Sequence, residues 1–334
     1  RNILLEKIEQ VPAGGSIDWV TYYFRDRELA RALIKARQRG VAITLTLSAK
    51  PRTAIANEAV IKLLQAEDGL GNGLTLINIP GIPAPRGRAW RPQLHEKLYC
   101  FSHPEPIAYI GSFNPSGDTP EQQPDIIKEV GDHNTGHNLL LGITDQTLVQ
   151  HLQTHARHLH DNPPGLLYRF SRTATNDIQS GDTHLYFWPR RAEHPILVLL
   201  EKVTRGARVS IAASHIRSGL AVKRICKLAG RGVTVDIIAE ASRRRVTPAV
   251  EQTLLAAGVN FRRLCYTQPV PMHLKFMLVQ TDSQCWSVTG SYNWTLPSFL
   301  LNHEIALITE NRQLFQELQQ RWQLLQADLE HIID

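Results

Sequence analysis

Three observations predict an α/β chain built from two pseudo-repeated α/β/α halves. A short constellation occurs twice: His95-Glu96-Lys97 precedes Gly111-Ser112-Phe113-Asn114, and His273-Leu274-Lys275 precedes Gly290-Ser291-Tyr292-Asn293. The interval from His to Gly is 16 positions in the first copy, 95 to 111, and 17 in the second, 273 to 290. A β-α-β pattern lies ahead of each constellation, and an apolar helix lies ahead of each pattern. Leu4-Leu5-Glu6-Lys7-Ile8 corresponds to Leu199-Leu200-Glu201-Lys202-Val203 at an offset of 195. The offset falls to 192 between Gly40 and Gly232 and to 178 between His95 and His273, so the extra loop residues belong to the first half.

In chain order, Ile17 to Phe24 reads as a strand, Asp26 to Gln38 as a helix closed by Arg39-Gly40, and Val41 to Leu47 as the next strand. The first HxK opens the apolar strand Leu94 to Phe101, and the first GSxN ends the strand through Ala108-Tyr109-Ile110. Residues from Asp161 to Pro189, with Asn162-Pro163-Pro164-Gly165, read as a connection. The second half repeats the plan. Val209 to Ala213 is a strand, Gly219 to Ala229 a helix closed by Arg231-Gly232, and Val233 to Ala239 a strand. The strands Met272 to Val279 and Trp286 to Val288 follow, and Asn311 to Ile333 is an amphipathic helix. The expected division is 1–160, a connecting segment 161–190, and 191–334.

A chain of 334 residues with 43% hydrophobic content can bury a large core, so disorder is not expected. Lysine and arginine exceed aspartate and glutamate by 37 to 31, a net charge of +6, which favours an anionic partner such as nucleic acid or phospholipid headgroups. The cysteines Cys100, Cys226, Cys265 and Cys285 have neither CxxC spacing nor ligand grouping, which argues against a zinc site. No apolar run reaches the roughly 20 residues needed to span a bilayer; the run around Ile196 to Leu200 is interrupted by Glu201 and Lys202. The chain is therefore expected to be soluble or peripheral. It begins at Arg1 rather than Met. Removal of a signal peptide ahead of Arg1 would make it periplasmic or secreted, and composition leaves the compartment open.

Cleaving a phosphodiester takes a nucleophile, a proton donor for the leaving alkoxide, and positive charge around the phosphoryl oxygens. Two HxK-GSxN units supply all three. One imidazole attacks phosphorus and the other protonates the leaving oxygen, both within reach of neutral pH. Lys97 and Lys275 would hold the non-bridging oxygens, while Asn114, Asn293, Ser112 and Ser291 add neutral donors. Alternation along each strand places His and Lys on one side. This scheme needs no metal and no cofactor.

These residues resemble the phospholipase D superfamily, whose motif is HxK, four residues, Asp, then GSxN, usually present twice. The resemblance covers nearly the whole chain. It implies a single bilobal body with one active site between the halves and a covalent phosphohistidine intermediate. It implies His95 as nucleophile and His273 as general acid, with the reverse assignment open. The family's Asp falls on Ser102 in the first copy and on Gln280 in the second, so an inactive binding module stands as an alternative to an active enzyme. Glu304, in Leu301-Asn302-His303-Glu304, occupies the place where similar members put a carboxylate that orients a histidine. Its first-half counterpart falls near Asn138, which is not an acid; Asp118, Asp125 and Asp132 are alternatives between which the sequence does not choose.

The substrate signals are mixed. Gly290 to Thr295 reads GSxNWT, as in the nuclease branch, whereas Ser298-Phe299-Leu300-Leu301-Asn302-His303-Glu304 resembles the tail of bacterial cardiolipin synthases, with Thr295 and Pro297 at their acidic and arginine positions. Two fused halves are usual for the lipid enzymes. The favoured reading is hydrolysis of phospholipid headgroups or phosphatidyl transfer to an alcohol, with peripheral membrane contact; nucleic acid is the alternative substrate. A basic collar of Arg86, Arg88 and Arg91 around Trp90, joined by Arg243 and Arg244, suits either phosphate-bearing partner. Arg245, Lys50 and Arg52 stand nearby in sequence or at the equivalent place. His151, His155 and His158 lie at helical spacing and read as a solvated helix face rather than a metal site. The stripe Leu314, Leu318, Trp322, Leu325 and Leu329 reads as core packing. Oligomeric state is not specified.

Overall fold

A computed structural model describes residues 1–53, 55–83, 89–117, 137–165, 168, 177–217, 219–264 and 271–330. The chain divides into two compact units. The first comprises Arg1–Gly136 and Leu140–Ser171; the second comprises His137–Leu139 and Arg172–Asp334.

The first unit opens with α1 (Asn2–Gln10), then β1 (Ser16–Thr21), α2 (Arg27–Gln38), β2 (Ala42–Ser48), α3 (Ile55–Leu64) and β3 (Leu74–Ile77). β1, β2 and β3 pair in parallel, and α2 and α3 supply the long crossovers that parallel pairing requires. A short ribbon of β4 (Ile82–Pro83) and β5 (Ala89–Trp90) precedes β6 (Leu98–Phe101), β7 (Ile107–Gly111) and β8 (Leu140–Ile143), which extend the sheet antiparallel in the order β3-β2-β1-β6-β7-β8. α2 forms where the sequence predicts it. Asp26 Oδ1 caps it by accepting from Leu29 N at 2.9 Å, and Leu29, Ala30, Leu33 and Ile34 bury one face. The following helix, α4 (Gln146–Asp161), lies against β1, β2, β6 and β7. Its Arg157 grips the buried Asp18 carboxylate with two hydrogen bonds of 2.9 Å.

The second unit repeats this order with β9 (Ile178–Ser180) and β10 (Thr183–Trp188) placed ahead of it. Then come α5 (Pro195–Lys202), β11 (Arg208–Ala213), α6 (Leu220–Gly230), β12 (Thr234–Glu240), α7 (Pro248–Ala256) and β13 (Asn260–Leu264). β14 (Lys275–Gln280), β15 (Cys285–Gly290), α8 (Leu296–Leu300), β16 (Glu304–Thr309) and α9 (Arg312–Glu330) complete the unit. The sheet order is β13-β12-β11-β14-β15-β16-β10-β9, and its first six strands repeat the order of the first sheet. Leu318, Trp322, Leu325 and Leu329 of the expected stripe are buried with Phe276, Leu278 and Leu264; Leu314 is only partly buried, and Phe315 fills the core in its place. Among the described residues no helix is long and apolar enough to cross a membrane.

Three expectations change in detail. The first strand ends at Thr21 rather than Phe24. There the Asn57 side chain takes over from the sheet ladder, accepting from Phe24 N at 2.8 Å and donating to Tyr22 O and Ser48 O at 2.9 Å each. Within the segment expected to connect the halves, β9 and β10 are strands, because β10 pairs antiparallel with β16 from Thr183↔Thr309 to Trp188↔Glu304 and so covers an otherwise open edge. The parallel runs also continue beyond the predicted β-α-β units, through α3–β3 and α7–β13.

The glycine that opens each GSxN is a steric requirement. Gly111 and Gly290 have φ of 153° and 155°. A Cβ on Gly290 would sit 2.1 Å from Ile305 O and 2.9 Å from Ala306 Cα, both backbone atoms. Gly290→Ala is expected to lower the unfolding free energy by about 2–3 kcal/mol. Gly230→Ala, which meets nothing within 4 Å, serves as the control and should stay within about 0.5 kcal/mol. Urea midpoints check both; equal midpoints for the two variants would remove the steric argument.

Candidate functional site

In the first unit Lys97 immediately precedes β6, and its side chain folds back so that Nζ donates to His95 O at 2.7 Å. Both residues are buried. The Tyr22 ring meets the His95 ring edge-on with centroids 5.2 Å apart, and Lys97 Nζ stands 5.4 Å from the Tyr22 centroid. Tyr22 is itself fixed, because its hydroxyl accepts from Arg52 N at 2.6 Å. Glu96, between His95 and Lys97 in sequence, bonds in a different direction: its Oε2 lies 2.8 Å from His155 Nε2 on α4. Asn114 is buried, and its Oδ1 accepts from Tyr23 N at 3.4 Å. Ser112 is buried beside it in sequence.

The second unit repeats the closure. Lys275 Nζ donates to His273 O at 2.9 Å, and both residues are buried. Leu274 replaces Glu96 and joins the apolar cluster under α9. His273 Nδ1 lies 3.0 Å from Asn138 Oδ1. The three-residue strap holding Asn138 runs parallel to the chain before β14: His137 N donates to Pro271 O at 3.1 Å, and His273 N donates to His137 O at 2.9 Å. Glu304 is fully buried; its carboxylate accepts from Ser291 Oγ at 2.6 Å and Asn302 Nδ2 at 3.1 Å. Ser291 Oγ in turn accepts from Ile305 N at 3.0 Å. Asn293 is half-buried in the turn, where its carbonyl accepts from Thr295 N at 2.8 Å.

The collar divides. Arg91, Arg243 and Arg244 are exposed, whereas Arg245 is buried and directed inward to Ser214 Oγ at 3.3 Å and Glu240 Oε2 at 3.9 Å. Lys50 and Arg52 are exposed. Arg86, Arg88, Asp118, Asp125, Asp132 and the Trp90 side chain lie outside the described residues. His155 departs from the expected solvated face because Glu96, buried at the sheet surface beneath α4, needs a partner. Among the described residues no group of three or more His, Cys, Asp or Glu is placed to hold a metal ion.

The family described as cardiolipin synthase, PLD-like domain, matches residues 4–159 and 199–325, each stretch carrying one HxK and one GSxN. The chain belongs to the phospholipase D superfamily. Mitochondrial cardiolipin hydrolase of Danio rerio is 32% identical to this superfamily member over 100 residues, 30% of the chain and 42% of that protein's length. Phosphatidylserine synthase of Haemophilus influenzae Rd KW20 superposes with a TM-score of 0.62 at 11% identity, covering 98% of this chain and 84% of that one. Polyphosphate kinase of Porphyromonas gingivalis gives 0.61 at 13% identity, covering 97% of this chain and 47% of that one. The chain thus spans under half the length of the hydrolase and the kinase; at these identities the two structures establish the phospholipase D fold and nothing finer.

Sequence reasoning missed the Tyr22 ring, the Asn57 clamp, the Glu96–His155 pair and the bond from Asn138. A signal for the last exists in the sheet register of the phospholipase D repeat. Gly111 pairs with Leu140 and Gly290 with Ala306, so Asn138 and Glu304 each stand two residues before the partner of the GSxN glycine.

Two other histidines of the second unit are held neutral. Burial, then the positive charge of Arg321, lowers His137 to about 4, with Asp328 opposing. Burial, then Arg190, lowers His194 to about 3, where its ring lies between Trp188 and Phe299 at 4.8 and 4.1 Å. Unfolding restores both to an ordinary value near 6.5. The unfolded chain therefore binds more protons below that value, and stability is full above pH 6.5 and falls as pH drops towards 4 and then 3. Denaturant midpoints should decline from pH 7.5 to pH 4.5. His194→Phe should flatten the decline; an unchanged slope in that variant would assign the loss to other groups.

Proposed function

We propose that the chain is a metal-independent phosphodiesterase acting on phospholipids, either releasing a headgroup or transferring a phosphatidyl group to an alcohol. The observation that carries this reading is the duplicated closure: two buried His-x-Lys segments, each with its lysine folded onto its own histidine carbonyl at 2.7 or 2.9 Å, each followed by a GSxN turn. The Lys97 and Lys275 ammonium groups would stand against the phosphoryl oxygens. In the proposed reaction the Nε2 lone pair of one imidazole attacks phosphorus, and the bond from phosphorus to the leaving alcohol breaks as the second imidazolium gives it a proton. Water or an acceptor alcohol then loses its proton to that second imidazole and attacks phosphorus, and the P–N bond breaks. His95 is taken as nucleophile and His273 as general acid. Exposed Arg91, Arg243 and Arg244 would attract the anionic substrate.

The lipid substrate is supported by the family match and by the hydrolase relative, whose names refer to cardiolipin. Trp294 of the nuclease-like GSxNWT is buried against Tyr292 and Phe299, with ring centroids 6.1 Å away in each case, so it packs in the core and is not placed to stack on a base. The exposed arginines keep nucleic acid as the second reading.

Wild type, His95→Ala and His273→Ala, incubated with EDTA, should be presented with mixed phospholipid vesicles and separately with single- and double-stranded DNA and RNA. Headgroup release or a new phosphatidyl ester, reduced at least about 1,000-fold in each variant, is the expected result. Cut nucleic acid with intact lipid would replace the lipid reading with the nuclease one. Equal inertness of all three proteins on both classes would favour a binding module.

A further inference from the structure

We propose that Asn138 is a positioning residue of this reaction, holding His273 as the Nδ1–H tautomer through a neutral acceptor where the repeat-equivalent position carries an acid. The proposal rests on the phosphodiesterase reading above. Its first support is delivery. Asn138 sits on a strap fixed to the second unit by three kinds of contact. Main-chain hydrogen bonds tie His137 to Pro271 and His273, Arg321 Nη2 on α9 bonds His137 Nδ1, and Leu139 packs on the apolar cluster that holds Trp322 and Leu325. The side chain that meets His273 is therefore supplied in a set register.

The second support is chemical. An amide oxygen only accepts, so at 3.0 Å His273 Nδ1 is the donor and Nε2 is the nitrogen that carries the reactive proton or lone pair. The third is the repeat itself. Register places Asn138 where the other half has Glu304. A carboxylate beside an imidazole favours the imidazolium by about 1–3 pH units, and an amide gives no such help. The charged groups around this segment include Lys275 on the His273 carbonyl, Glu240, whose Oε2 accepts from the adjacent Met272 N at 2.7 Å, and Arg245, paired to Glu240 at 3.9 Å. Arg321 and Asp328 act on the strap through His137. A substitution at Asn138 keeps the identity of every one of these charged groups.

The test uses the full chain, bis(4-nitrophenyl) phosphate as a class-neutral diester, and ¹⁵N NMR titration of histidine. Asn138→Asp should remain active, raise the His273 titration by about 1–2 pH units, and move the alkaline limb of the kcat profile upward by the same amount. Asn138→Leu, similar in size but without an acceptor, should lose about 10- to 100-fold in kcat with little change in KM. Movement of the acid limb instead would also support the positioning role, while exchanging the nucleophile and acid assignments of His95 and His273. If Asn138→Asp folds with a wild-type denaturation midpoint and leaves both the His273 titration and the pH profile in place, the proposal is overturned. A wild type that cleaves no diester would sink the phosphodiesterase reading alone, because the NMR titration still reports on the bond.

Discussion

The constraint on which the site depends is the burial of two lysines. Lys97 is 0% exposed and Lys275 2%, and a buried ammonium is costly unless its donors are met. In both units the histidine carbonyl two residues back meets one of them. That bond explains why the spacing is His-x-Lys: the lysine must share a strand side with the histidine and still curl onto its main chain. It also fixes the segment ahead of the strand, so the imidazole enters from a backbone already held. In the surrounding sheets β6 lies between a parallel trio and two antiparallel strands, and β14 between a parallel trio and four.

The two units repeat each other in topology and differ in the side chains that surround each HxK segment. Glu96 bonds His155 on α4, whereas Leu274 at the same motif position sinks into the apolar layer under α9. Tyr22 follows β1 and leans on His95; its counterpart after β11 is Ser214, which bonds His215 and Arg245. Glu304 and Asn138 share a register position and differ in charge. A chain of two fused halves can diverge in this way because each half evolves under its own sequence, whereas two identical subunits would carry the same residue at both places.

Much of this was legible in the sequence because periodic burial and repeated motifs leave local marks. The β-α-β runs, the glycine stops after α2 and α6, the α9 stripe and the HxK strands all follow from patterns a few residues long. What was not legible involves pairs far apart in the chain. Asn138 and His273 are separated by 135 positions, Glu96 and His155 by 59, and Tyr22 and His95 by 73. No periodicity links such residues; only the sheet register does. The strands β9 and β10 were hidden for a related reason, since a short segment such as Ile178–Ser180 becomes a strand through its partner.

The departures from the family motif at Ser102 and Gln280 bear differently on structure and on chemistry. Each stands five residues beyond its lysine, which along a strand is roughly 16 Å from the reactive end. Ser102 Oγ accepts from Ser16 N at 2.7 Å, and Ser102 N donates to Ser16 O at 3.0 Å, so the serine closes the start of β1 against the end of β6. Gln280 ends β14 on the surface, paired with Arg208 and Cys285. An aspartate is replaced in one copy by a shorter hydroxyl that still accepts from backbone and in the other by an exposed amide. Both changes adjust how a strand terminates, and neither removes a donor or acceptor from the histidine end. The groups that the proposed reaction requires, two imidazoles and two ammonium groups, stand at the opposite end of these strands from Ser102 and Gln280.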